Sequence, residues 1–109
     1  MTIVYKVLGQ ASPAANTLTD VYVVPSGNST VISTVTICNQ NSSNVSFRLA
    51  VRPGNAAVET KHYVSYDTAI PLLDTVSLTL GITLAATDVI SVRATSANVS
   101  FNIFGSEIY

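Results

Sequence analysis

The stretch Val45-Ser46-Phe47-Arg48-Leu49-Ala50-Val51-Arg52 alternates apolar and polar side chains with a period of two. Val45, Phe47, Leu49 and Val51 share one face, and Ser46, Arg48 and Arg52 share the other. Only an extended strand turns successive side chains to opposite sides in this way. Pro53-Gly54-Asn55 follows at once and predicts the strand's end, since proline cannot donate to a ladder and Gly-Asn tolerates positive φ. An isolated strand cannot bury its apolar face, so this octet already calls for other strands.

Seven further segments read the same way. Residues 2–8 alternate Ile3, Tyr5 and Val7 against Val4, Lys6 and Leu8, apolar on both faces, and are read as an arm or edge strand within residues 1–10. Residues 18–24 stop at the turn signal Pro25-Ser26-Gly27-Asn28. Residues 29–39 are expected to face Val31, Val35 and Ile37 inward, with Thr34 and Thr36 opposite. The polar run at 40–44 then predicts a hairpin into the Arg-bearing strand. Residues 61–68 carry Tyr63 and Tyr66; residues 75–80, 88–95 and 99–104 complete the set. Helix signals shrink to single turns at 56–60 and 84–87, too short to persist without packing. About eight short strands predict one all-β domain spanning residues 1–109, an antiparallel β-sandwich of jelly-roll or immunoglobulin-like type.

Composition narrows the function classes. Of 109 residues, 48% are hydrophobic and only 10% are charged, against a usual fraction of roughly 25%. Ser, Thr and Asn supply the polar surface instead, at close to a third of the chain. A net charge of −1 with this hydrophobic content excludes disorder. The cations Lys6, Arg48, Arg52, Lys61 and Arg93 are scattered, so no nucleic acid is expected as partner. No apolar run approaches the ~20 residues of a membrane helix, and Met1–Lys6 opens no secretory leader, so no membrane partner is expected. The single thiol, Cys38, excludes an intrachain disulfide.

Chemistry-bearing constellations are missing. His62 is the only histidine, and its sole prospective thiol partner is Cys38; the expectation is an inert buried cysteine and a surface histidine. The six carboxylates show no metal-loop spacing, and Asp74 and Asp88 precede strands, where Asp usually bonds backbone amides. The five glycines never cluster into a phosphate cradle. No catalytic residue, cofactor or metal is therefore expected. The candidate contact residues are Tyr5 and Lys6, the Arg48/Arg52 face with the loop after it, and the cluster His62, Tyr63 and Tyr66, since Tyr joins a flat apolar body to a polar tip.

Several phrases carry a resemblance: Tyr5-Lys6-Val7-Leu8-Gly9-Gln10, Leu18-Thr19-Asp20-Val21-Tyr22-Val23-Val24-Pro25, Thr36-Ile37-Cys38-Asn39, the run Gly81 to Val89, and the ending Val99 to Ile108. In these and in overall style the chain resembles small virion proteins of tailed bacteriophages, of cyanophage and other aquatic phage type. The resemblance implies a structural role in the virion, after synthesis in the host cytoplasm. It points first to a capsid decoration (cement) protein partnered by the major capsid protein, and otherwise to a tail, baseplate or fibre component, with a host-surface glycan as ligand. It brings no catalytic residues with it. Open sheet edges favour a homo-oligomer, with a trimer preferred.

Overall fold

The computed structural model describes residues 1–109 and contains nine strands. These are β1 (Ile3–Ala11), β2 (Thr19–Val23), β3 (Ser29–Asn39), β4 (Val45–Arg52), β5 (Tyr63–Ile70), β6 (Thr75–Leu78), β7 (Ile82–Leu84), β8 (Val89–Ala94) and β9 (Val99–Ile108). One sheet has the order β1-β9-β3-β6 with β7 also on β3, and the other the order β2-β8-β4-β5. Every pairing is antiparallel. The protein is an all-β antiparallel sandwich, as the alternation predicts. Its pairings nest: β1 with β9, β2 with β8, β3 with β6, β4 with β5.

The core lies between the sheets. Phe47 of β4 meets Phe101 of β9 edge-on, with centroids 6.2 Å apart at 69°. Leu49, Ile90, Val92, Val99 and Ile103 surround them with no exposed surface. Each large apolar side chain sealed in this way contributes about 1.5–3 kcal/mol. The inward sets expected for β4, β8 and β9 are the ones found.

Three expectations are corrected. Residues 40–44 do not make a hairpin, because β3 and β4 belong to different sheets and the segment crosses between them. Asn39, only 1% exposed, anchors this crossing. Its Nδ2 donates to the carbonyls of Ser43 (3.0 Å), Ile70 (3.2 Å) and Pro71 (3.1 Å), and its Oδ1 accepts from the Asn41 backbone at 2.9 Å. Asn39→Ala is expected to cost about 2–3 kcal/mol in urea unfolding, because buried carbonyls lose their donor.

In β3 the inward set differs above and below a bulge. The register against β9 shifts between Ile32 and Thr34, so Ser33 is the extra residue. Thr30 and Ile32 face inward before it, Val35 and Ile37 after it, and Val31 turns outward. The third correction concerns strand limits. A three-residue strand, β7, was not predicted; β9 continues past Phe104 to Ile108; and β5 starts at Tyr63, because Thr60–His62 forms a 3₁₀ turn.

The β4–β5 connection folds back over the smaller sheet. Ala50 and Ser91 alternate toward its outer face, yet neither has exposed surface. Gly54 and Asn55, with φ of 61° and 60°, reverse the chain there, and the Gly54 N–H donates to Asp88 at 2.8 Å. Asp88 also accepts the Ala85 N–H at 2.9 Å, and Asp74 accepts that of Thr75 at 2.8 Å. These are the turn roles expected of both aspartates.

Candidate functional site

Strand β1 is apolar on both faces, with Leu8 sealed into the core and a second apolar set on the other side. Its position at the edge of the larger sheet makes residues 3–11 an edge strand. Its apolar residues Ile3, Tyr5 and Val7 face solvent, 45%, 82% and 47% exposed, while Lys6 alternates to the other side and keeps its side chain 45% exposed. Val7 pairs with Phe104 of β9, itself 36% exposed, and Val31 of β3 pairs with Ser106. An apolar, aromatic patch therefore covers one end of the outer face of this sheet. Tyr5 and Lys6, adjacent in sequence, lie on opposite sides of it.

A polar network that is buried at Glu107, Tyr22 and Thr30 and part-buried at Lys6 ties β1 to its neighbours. Lys6 Nζ donates to Glu107 Oε1 at 3.0 Å, the Tyr22 hydroxyl donates to Glu107 Oε2 at 2.6 Å, and Tyr22 and Thr30 share a hydroxyl bond of 2.7 Å. Glu107 is 6% exposed. The Tyr22 hydroxyl, followed by Lys6, holds the Glu107 carboxyl below the usual carboxylate range, against its burial. Burial, with Glu107 beside it, pushes the Tyr22 phenol up to about 12.

The two signs oppose each other. A lowered carboxyl adds stability that is complete above the unfolded carboxylate range and is lost as pH falls through the folded value. A raised phenol adds stability that is complete below the ordinary value of 10.0 and is lost as pH rises towards about 12. Urea midpoints are expected to fall at both ends of the pH range, and Tyr22→Phe to shrink the alkaline limb. Tyrosinate absorbance should show the phenol ionising near pH 12 in the native protein and missing from the variant.

The smaller sheet gathers three of the candidate contact residues. Arg48 forks onto Asp67, Nε to Oδ1 at 2.6 Å and Nη2 to Oδ2 at 3.2 Å. Its guanidinium lies 4.0 Å from the Tyr66 ring centroid and 5.9 Å from that of Tyr63. The two rings meet edge to face at 4.9 Å. A bulge in β5, with Asp67 at φ 51°, aims the carboxylate at Arg48. The hydrogen bonds from Arg48 draw the Asp67 carboxyl down and raise the guanidinium in return.

Arg52 is spent within the chain. It donates to Ser91 Oγ (3.0 Å), Ala56 O (2.8 Å) and Asp20 Oδ1 (2.7 Å), and the Ser91 hydroxyl also donates to Asp20 at 2.7 Å. The Ser91 hydrogen bond, with Arg52 behind it, lowers the Asp20 carboxyl.

His62 is buried, 7% exposed, which corrects the expectation of a surface histidine. The physical reason is a cap: the Glu59 N–H donates to His62 Nδ1 at 3.0 Å, folding the ring against the 3₁₀ turn. A groove of about 550 Å³ opens beside it, with Val51, Pro53, Ala56 and Val64 as its apolar lining. Tyr63 forms part of its wall, whereas Tyr66 belongs only to the Arg48 cluster. Cys38 sits partly exposed on β3, where alternation turns it away from the core, and not fully buried as expected. Its strand lies in the other sheet from the one His62 packs on, so the two do not form a pair. No three His, Cys, Asp or Glu side chains converge on a common point that would hold a metal ion.

Sequence reasoning missed Glu107, Tyr22, Asp67 and Phe104. The signal for Glu107 was present: a lone carboxylate at an inward position of an otherwise apolar and small-residue strand, β9. No protein-family model matches the chain, and no curated protein matches it.

Proposed function

We propose that this chain is a non-enzymatic structural protein of a phage particle, a decoration (cement) protein seated where major capsid subunits meet. The observation that carries the reading is the outer face of strand β1, which is apolar although its inner face already supplies Leu8 to the core. Ile3, Tyr5 and Val7 face water beside Phe104, while the strand's one charge, half-exposed Lys6, is paired with buried Glu107. Aromatic and aliphatic groups with few charges are what interface cores are made of. The rest of that outer face is mainly Ser, Thr and Asn, with Gln10 and Cys38 among them, which suits a wet rim. The resemblance to small virion proteins gives the partner class. We read the nested pairing as jelly-roll winding, an architecture used by viral shells and lectins alike, so it supports the setting without choosing the role.

Cryo-electron microscopy of particles carrying labelled copies of this chain tests the proposal. Density is expected over the capsid surface, with β1 and Phe104 against the shell; density confined to the tail overturns it. A homo-oligomer, trimer favoured, belongs to the same proposal, and sedimentation of the purified chain checks it. The second reading, a tail, baseplate or fibre module that recognises host glycan, draws on the groove beside His62 and Tyr63. Arg48 already covers the Tyr66 ring, which leaves less of that side chain for a sugar.

A further inference from the structure

The groove beside His62 contains a polar group without a partner. The ring is more than nine-tenths buried, and its Nδ1 accepts the Glu59 N–H at 3.0 Å. A neutral imidazole that accepts at Nδ1 carries its proton on Nε2. Nε2 has no acceptor within the chain, and no side-chain nitrogen or oxygen is both sealed and unpaired. Of the two surface cavities only this groove is lined by His62, and it is the opening through which a ligand can reach that proton.

The surroundings select what it can meet. Val51, Pro53, Ala56 and Val64 offer apolar surface. The rim charges cancel, since Lys61 Nζ stands 3.4 Å from Glu59 Oε2. With these two charges paired, the rim holds no net charge to draw either an anion or a cation. The fitting ligand is neutral, with one strong acceptor attached to a small apolar group.

We propose that this groove is a binding site for an acetamido group, with the carbonyl oxygen accepting the His62 Nε2 proton and the methyl resting among Val51, Pro53 and Ala56. The same chemistry occurs on N-acetylated sugars and on peptide amides. The site stands independently of where in a particle the chain is seated, so its failure leaves the decoration reading in place.

The test titrates the full chain, followed by nuclear magnetic resonance, with N-acetylglucosamine, glucose and N-methylacetamide as separate probes. Saturable shifts at His62 and Tyr63 are expected with N-acetylglucosamine and not with glucose. A response to N-methylacetamide of equal strength assigns the source to peptide amides, and a much weaker one to N-acetylated sugars; both support the acetamido site. His62→Phe is expected to weaken binding about five- to tenfold, the worth of one hydrogen bond. Ala56→Phe fills the groove from an exposed position, leaves the histidine cap intact, and is expected to abolish the shifts. The proposal is overturned if neither amide probe saturates, if glucose binds equally well, or if Ala56→Phe leaves binding unchanged.

Discussion

Gly105→Ala is expected to lower stability by about 3 kcal/mol or more, a fall in melting temperature on the order of 15 °C. Gly105 lies on β9, between Lys6 of β1 and Ile32 of β3. A Cβ there would overlap the Val31 carbonyl oxygen and stand 3.0 Å from both Ile32 Cα and Leu8 Cδ1. Leu8 can swing aside, but the other two atoms are backbone, fixed where β3 bulges at Ser33. The missing side chain is thus a packing requirement, because the bulged strand crosses too close for any other residue. Gly27 provides the contrast: open space surrounds it, and only its φ of 82° favours glycine. Gly27→Ala is expected to cost about 1 kcal/mol. Urea unfolding of both variants makes the comparison, and equal losses would show that β3 does not press on β9 as described.

Tyr5→Lys is expected to leave the fold intact and to weaken attachment to the particle by about 30-fold or more, the loss of an aromatic interface anchor. At 82% exposure Tyr5 contributes little to the folded monomer, so the change in stability should stay within about 0.5 kcal/mol. It is also the most exposed aromatic residue on a face otherwise shaped by Ile3, Val7 and Phe104. Val64→Lys, on the far edge of the opposite sheet, is the matching control and is expected to attach normally. Binding of purified variants to particles stripped of this chain, alongside thermal melts, separates attachment from folding. Normal attachment of Tyr5→Lys would move the contact surface away from β1.

Two strands bounded by strong turn signals were legible in their limits. Ser29–Asn39 and Val45–Arg52 are found with the limits read from the sequence. Elsewhere the misses have physical causes. Ile82–Leu84 is too short to display a period. The bulge at Ser33 reverses which residues face inward, and a bulge is set by a neighbouring strand, here the close approach of Gly105. A polar five-residue segment after β3 looks the same whether it closes a hairpin or crosses between sheets; the buried bonds of Asn39 decide, and two of their acceptors lie beyond residue 69. The candidate site was legible as residue types and not as groupings. Arg48, Tyr63 and Tyr66 do meet, but Arg48 is held by Asp67, and Arg52 by Asp20 and Ser91. Lys6 is tied to Glu107, 101 residues away. Pairings over such distances depend on the finished topology, which local patterning does not encode.

The order of synthesis gives the nested pairing a further consequence. β9 lies between β1 and β3 in space but follows every other strand along the chain. While a ribosome emits residues 1–98, the larger sheet lacks its middle strand, and the core lacks Val99, Phe101 and Ile103. Translation at about 5–20 residues per second leaves β1 and β3 waiting for seconds with no partner between them. Folding is therefore a late event that closes once β9 emerges. A product cut short at residue 98 would be left to proteases, and any assembly that uses this chain draws only on copies translated beyond that point.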